Sequence, residues 1–120
     1  MGATEAFLRD LGRRGVEPSL RRATGTVRVT VDDTSQAESW LVTIDRGRVS
    51  VSRGRAPAEC EIRASRALLD AIVNGTKNML AAHLRGELAV AGNRELVVLF
   101  QRLLPPPVGH GQRPEGPTDD

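Results

Sequence analysis

Between residues 26 and 64, apolar residues alternate with polar ones at a period of two, which is typical of strands with one buried face. Four such runs occur in succession. Their apolar positions are Val27, Val29 and Val31; Trp40, Val42 and Ile44; Val49 and Val51; and Cys60, Ile62 and Ala64. Turn residues separate the first two runs at Asp32 to Ser35. After Asp45, Gly47 suits the left-handed position of a three-residue hairpin loop, so the pattern predicts a three-stranded meander followed by a fourth strand.

The chain before and after these runs has the spacing of amphipathic helices. Thr4 can cap a first helix, and Gly12 and Gly15 mark where it should end. Ser65 can cap a second helix that ends at Asn74-Gly75, and Thr76 can cap a third that ends at Gly86.

A short strand then carries Leu88 and Val90, and a last helix runs from Arg94 to Leu104, before three prolines. The order helix, four strands, two helices, strand, helix predicts an α+β fold whose sheet is covered by helices on one face. We expect residues 1–107 to form the domain. Residues 108–120, rich in proline and glycine, are predicted to be a disordered tail.

Composition narrows the class of protein. A chain of 120 residues with 39% hydrophobic and 27% charged residues fits one domain that folds in water. Apolar runs long enough to span a membrane are absent from the sequence, and residues 1–14 lack the apolar stretch of a signal peptide. The predicted location is cytoplasmic, which suits a single cysteine, Cys60.

Candidate chemistry is sparse. The histidines are His83 and His110 alone, so clustered metal ligands and a cysteine-histidine pair are absent from the sequence. Asp32 and Asp33 are adjacent on a turn and point apart, unlike paired acid-base carboxylates. We therefore expect no catalytic site, no metal and no cofactor.

Arginine supplies 16 of the 17 basic residues, and the net charge is +2. Four arginines cluster around the hairpin and its exit, at Arg46, Arg48, Arg53 and Arg55. They favour either transient contact with an anionic membrane surface or charge balance with neighbouring glutamates. Aromatic residues do not alternate with them to stack on bases, so nucleic-acid binding is not expected.

Several local motifs in this order resemble the sterol carrier protein type-two family, over nearly the whole chain. They are Trp40 to Ile44 followed by Asp45 to Val51, Glu61 to Ser65, Leu68 to Ile72 with Gly75, and Gly86 to Asn93 with Leu96. The resemblance implies a five-stranded mixed sheet and an apolar tunnel for lipid between the sheet and the helices. The chain's end does not match a peroxisomal targeting tripeptide.

The last helix is apolar around most of its circumference, which requires more contact than one sheet face provides. From the pattern alone, this excess fits a ligand, deep burial between sheet and helices, or a dimer interface. The resemblance favours a ligand. The candidate ligand-binding residues are Leu68, Leu69, Ile72, Met79, Leu80, Leu84, Leu88, Val90, Leu96, Val97, Leu99, Phe100, Leu103 and Leu104. Met79 can equally be core filler, and Trp40 either lines the tunnel or packs under a helix.

Two functions remain open at this point. The first is non-enzymatic binding, with transfer, of an apolar ligand such as a fatty acid, an acyl chain or a sterol-like lipid. The second is a structural interaction or dimerisation module in which side chains fill the cavity and no ligand enters.

Overall fold

The alternating runs form the strands of one mixed sheet. The structure, a computed structural model, describes residues 2–32 and 38–104. The elements in chain order are α1 (Ala3–Arg14), a 3-10 turn (Pro18–Leu20), β1 (Thr24–Val31), β2 (Glu38–Asp45), β3 (Arg48–Arg53), β4 (Cys60–Ala64), α2 (Arg66–Val73), α3 (Met79–Leu84), β5 (Ala89–Gly92) and α4 (Glu95–Gln101). The predicted order of helices and strands is confirmed.

The five strands lie side by side in the order β3-β2-β1-β4-β5. β1, β2 and β3 form the predicted antiparallel meander. β4 then pairs with β1 in parallel, and β5 pairs antiparallel with β4. The segment between β3 and β4 must therefore cross two strands, and β1 lies at the centre of the sheet.

The β2-β3 hairpin differs from the expectation in loop length. Asp45 pairs with Arg48, so the loop contains two residues, Arg46 and Gly47, and the predicted three-residue loop is wrong. Both residues have positive φ, at 53° and 87°. Two left-handed residues give a tight turn whose twist matches that of the flanking strands. The prediction that Gly47 is left-handed is confirmed.

Two predicted helix caps are wrong, while that of Ser65 is confirmed by its hydrogen bond from Leu68 N. α1 begins at Ala3 after Gly2, and Thr4 instead donates from both N and Oγ1 to Asp70 Oδ1, at 2.9 and 2.7 Å. The cap of α3 is Asn78, whose Oδ1 accepts from Ala81 N at 2.9 Å. Thr76 Oγ1 instead donates to Ala71 O at 3.0 Å. Both threonines therefore bind a partner other than the helix end that each was predicted to cap.

The last strand and helix are shorter than expected. Leu88 precedes β5, and α4 begins at Glu95 and ends at Gln101, where turns continue the chain to Leu104. The predicted turn at residues 32–35 falls mostly outside the described residues, as does the predicted tail at 108–120.

Helices cover one face of the sheet, which we call the covered face; the opposite face we call the open face. α1 packs on β3 and α2, and α4 packs on β1 and β4. Every predicted inward residue of the four long strands is buried except Val51, which is half-buried. The period-two prediction is confirmed. Among the described residues, no helix combines the length and apolar character needed to cross a bilayer.

Candidate functional site

α4 contacts the covered face of the sheet through apolar side chains. Leu96, Val97 and Phe100 are each at most 5% exposed and belong to the main core. Beneath them β1 carries Gly25, whose position leaves no room for a β-carbon because the Leu96 side chain occupies that space. The helix therefore lies close against the strand. The opposite side of α4 presents Val98, which is 51% exposed.

The other candidate ligand-binding residues divide into three groups by burial. Leu68, Leu69, Ile72, Met79, Leu88 and Leu103 are buried in the same core as α4. Val90, Leu99 and Leu104 are half-buried against it. Leu80 and Leu84 lie on the outer side of α3, where Leu84 is 85% exposed. The structure brings twelve of the fourteen together, and their role in binding stays a prediction.

A groove separates α1 from the chain that follows α4. It has a volume of about 320 Å³, and its apolar wall is formed by Phe7, Leu103 and Leu104. Its rim carries charged side chains from both segments: Asp10, Arg14, Glu17 and Arg102. The groove thus joins an apolar wall on the core to a charged edge at the surface.

Sequence reasoning missed Phe7 as a candidate. Its neighbours Leu8 and Leu11 are buried, whereas Phe7 is only half-buried. The sequence feature that could have indicated Phe7 is the width of the apolar stripe on α1. Because Phe7 and Leu8 are adjacent, the stripe is wider than packing against one neighbouring element requires.

A second groove, of about 480 Å³, lies between α1 and β3. Trp40 lines it while remaining only 4% exposed, and the guanidinium of Arg53 lies 5.6 Å from the centroid of its ring. Leu8 and Val51 also line this groove. Of the two interpretations of Trp40, the structure supports packing beneath a helix.

Two side chains near the core, Cys60 and His83, belong to residue types that can be chemically reactive. Cys60 is buried, and burial, followed by the negative charge of Glu61, raises the pKa of its thiol. His83 Nδ1 lies 3.2 Å from the carbonyl oxygen of Leu88, between α3 and β5. Within residues 2–32 and 38–104, acidic, histidine and cysteine side chains do not gather into a group of three or more that could hold a metal ion.

The sequence from residue 6 to 105 matches the family described as the SCP-2 sterol transfer family. The chain belongs to this family. The predicted resemblance is confirmed, as is the α+β fold with a five-stranded mixed sheet. No curated protein sequence matches the chain significantly.

Solved structures of the SCP-2 family share this fold at low sequence identity. Palmitated SCP2L2 from Aedes aegypti has a TM-score of 0.71 at 19% identity, covering 90% of this chain and 99% of that one. The same mosquito's Sterol Carrier Protein 2 in complex with palmitate has a TM-score of 0.67 at 17% identity, covering 88% and 99%. The apo Sterol Carrier Protein 2 from Yarrowia lipolytica has a TM-score of 0.66 at 21% identity, covering 85% and 90%.

Proposed function

We propose that this SCP-2 family domain binds one apolar lipid without chemical conversion, between the covered face and α4, and carries it in the cytoplasm. The observation that carries the proposal is the packing of α4, whose contacts with the sheet are made by apolar side chains. Such contacts are non-directional, so an apolar chain can replace them without leaving a polar group unpaired. The palmitate in the related mosquito complex supports this ligand class.

Ligand entry requires space that side chains now fill. Leu96 fits into the position that Gly25 leaves vacant on β1, so a small outward movement of α4 would open a channel along that strand. The groove beside Phe7 and Leu103 lies next to the end of the helix and provides an opening from solvent. Arg102 on its rim suits an anionic head group, while Arg14 there is ion-paired with Asp10 at 3.5 Å. The acyl chain would extend inward.

The affinity would come mainly from burial of methylene groups, at about 0.8 kcal/mol each. Each methylene that the cavity accommodates therefore changes the dissociation constant by about fourfold. Chain length, more than head-group chemistry, should govern selectivity.

The test is displacement of a fluorescent fatty acid by saturated fatty acids of graded length. Phe100→Trp enlarges a buried side chain while keeping it apolar, so preference should shift towards chains shorter by one or more methylenes. Val98→Trp is the matched control, because Val98 lies on the exposed side of the same helix. The control should keep the length preference of the unmodified protein, and circular dichroism checks the fold of both variants.

The alternative, an interaction module with a filled cavity, is favoured by the exposed apolar side chains Leu80, Leu84 and Val98. Native mass spectrometry of the purified protein separates the two functions. A co-purified lipid supports the carrier. An empty dimer that binds no apolar probe would contradict it, and so would a length preference that Val98→Trp alters and Phe100→Trp does not.

A further inference from the structure

The segment between β3 and β4 crosses the open face of the sheet and is hydrogen-bonded to the neighbouring strands at three points. Gly54 N donates to Ser39 O at 2.9 Å, at the start of the crossing. Ala56 O accepts from Arg28 Nη1 at 3.0 Å, in its middle. Glu59 N donates to Thr26 Oγ1 at 2.9 Å, at its end. These residues, 54–59, which we call the crossing segment, therefore cover part of the open face.

A pocket of about 290 Å³ lies against this segment. Its lining residues are Arg28, Thr30, Ser39, Arg55, Glu61 and Arg63, which together carry a net charge of +2. Thr30 and Ser39 are only 3% and 6% exposed, although they belong to the open face. On a sheet face in free contact with water, such hydroxyls would be exposed. Because Thr30 and Ser39 are buried and line the pocket, they form its floor.

Hydrogen bonds fix the polarity of that floor. Glu61 Oε2 accepts from Thr30 Oγ1 at 2.9 Å and from Arg28 Nε at 3.0 Å. Because Thr30 donates its hydroxyl proton to Glu61, the 3.0 Å contact between Thr30 and Ser39 requires Ser39 to donate to Thr30. The lone pairs of Ser39 Oγ then remain available as acceptors.

The rim of the pocket carries cationic hydrogen-bond donors, in contrast to the acceptors on the floor. Arg55 lies on the crossing segment and is exposed, and Arg63 projects from β4 with Asp32 Oδ2 at 3.8 Å. Guanidinium groups present planar pairs of donors that match phosphate oxygens. The pocket therefore offers cationic donors at its rim and neutral or anionic acceptors at its floor.

We propose that this pocket binds a phosphate monoester carried on a hydroxylated carbon skeleton. Arg55 and Arg63 take the phosphate oxygens, and the acceptors Ser39 Oγ and Glu61 take hydroxyl protons of the skeleton. The ligand is either a free small phosphate ester or the head group of an anionic lipid. This site lies on the opposite face of β1 from the apolar ligand and is independent of it.

The experiment is a titration of the full chain with glycerol 3-phosphate, followed by backbone amide NMR at constant ionic strength so that general screening stays fixed. Saturable shifts should appear at Thr30, Ser39 and Arg55. Combining Arg55→Gln with Arg63→Gln should weaken binding by about tenfold or more, since two charge-assisted contacts are lost. Arg55→Gln alone should also weaken binding. Because Arg55 is exposed and lies on a loop, this variant keeps the test valid if the double variant does not fold.

Arg48→Gln is the matched control, because it removes one exposed positive charge from the same face at β3. Its effect should stay below about twofold. Shifts that do not saturate, or a loss with Arg48→Gln equal to that of Arg55→Gln, would overturn the proposal.

Vesicles distinguish the two sources of phosphate. Co-sedimentation is measured with phosphatidylcholine vesicles that contain or lack phosphatidic acid. Binding that requires phosphatidic acid and is lost in the Arg55 and Arg63 variants, without a response to glycerol 3-phosphate, assigns the pocket to a lipid head group. A response to glycerol 3-phosphate without vesicle binding assigns it to a free ester. Absence of both responses contradicts the proposal.

Discussion

The two faces of β1 are formed by alternate residues of one strand, but different forces hold them. On the covered face Val27, Val29 and Val31 are at most 2% exposed and pack in the apolar core. On the open face Arg28 and Thr30 both donate to a single carboxylate oxygen. Apolar packing tolerates many arrangements of similar volume, whereas the polar pocket depends on direction and on particular partners. The covered face therefore supplies most of the stability, and the open face holds its side chains in fixed directions through hydrogen bonds.

The largest difference between the faces should appear on truncation of neighbouring residues of β2. Ile44 is fully buried on the covered face, and Ile44→Ala should lower the free energy of unfolding by about 2–5 kcal/mol, through lost burial and the cavity left behind. Thr43→Ala, on the open face, should cost less than about 1 kcal/mol. Urea denaturation measures both. Equal losses would show that the open face contributes as much packing as the covered one.

A second difference concerns how closely α4 lies on β1. Gly25→Ala places a methyl group where the Leu96 side chain lies, so it should cost about 1–3 kcal/mol through overpacking. The matched variant is Gly12→Ala in α1, where the new carbon would lie 3.4 Å from Val51 Cβ, an ordinary contact. That variant should stabilise the protein by up to about 1 kcal/mol through helix propensity. Thermal and urea unfolding measure whether the two variants change the free energy of unfolding in opposite directions. A stabilising Gly25→Ala would contradict the prediction and indicate that α4 lies further from the sheet.

The smallest effect is expected at the carboxylate of the open face. Burial raises the pKa of Glu61, but hydrogen bonds from Arg28 and Thr30, together with the charges of Arg28 and Arg63, outweigh it and hold the pKa below its ordinary value of 4.5. Glu61→Gln keeps the acceptor oxygen and removes the charge. At neutral pH it should cost less than about 1 kcal/mol, as partly exposed ion pairs do.

The pH dependence of this cost has a definite sign. Because the folded protein lowers the pKa, the carboxylate stabilises the fold above pH 4.5, and this contribution is lost as the pH falls through the folded value. The difference in unfolding free energy between the unmodified protein and Glu61→Gln should shrink below pH 4.5. A difference that stays constant down to pH 3 would show that the charge contributes nothing.

Much of the fold follows from local pattern. The period of two alone places Trp40, Val42 and Ile44 on one face, because side chains of a strand alternate whatever its neighbours are. The cap at Ser65 is predictable for a similar reason, since its hydrogen bond spans three residues. Thr4 and Thr76 show the limit of that reasoning. Thr4 contacts Asp70, 66 residues away, which spacing along the chain does not reveal.

The candidate site was predictable in composition but not in arrangement. The apolar residues of the last helix indicated extra contacts, and Leu96, Val97 and Phe100 are buried as that excess requires. Leu84 followed the same spacing, yet it lies at the surface, because α3 is short and turns its outer side to solvent. Helical spacing specifies which residues share a stripe and leaves open what the stripe faces.

The order of the elements, the inward positions of the strands and the family are encoded locally, since each depends on neighbouring residues and their periodicity. Tertiary structure alone decided that Gly25 lies beneath Leu96, that Phe7 and Leu103 line one groove beside α1, and that Arg55 and Thr30 line one pocket. These contacts join segments far apart in the chain. They form only when strands pair and helices pack, because the distances between such residues are set by the whole fold and not by any local pattern.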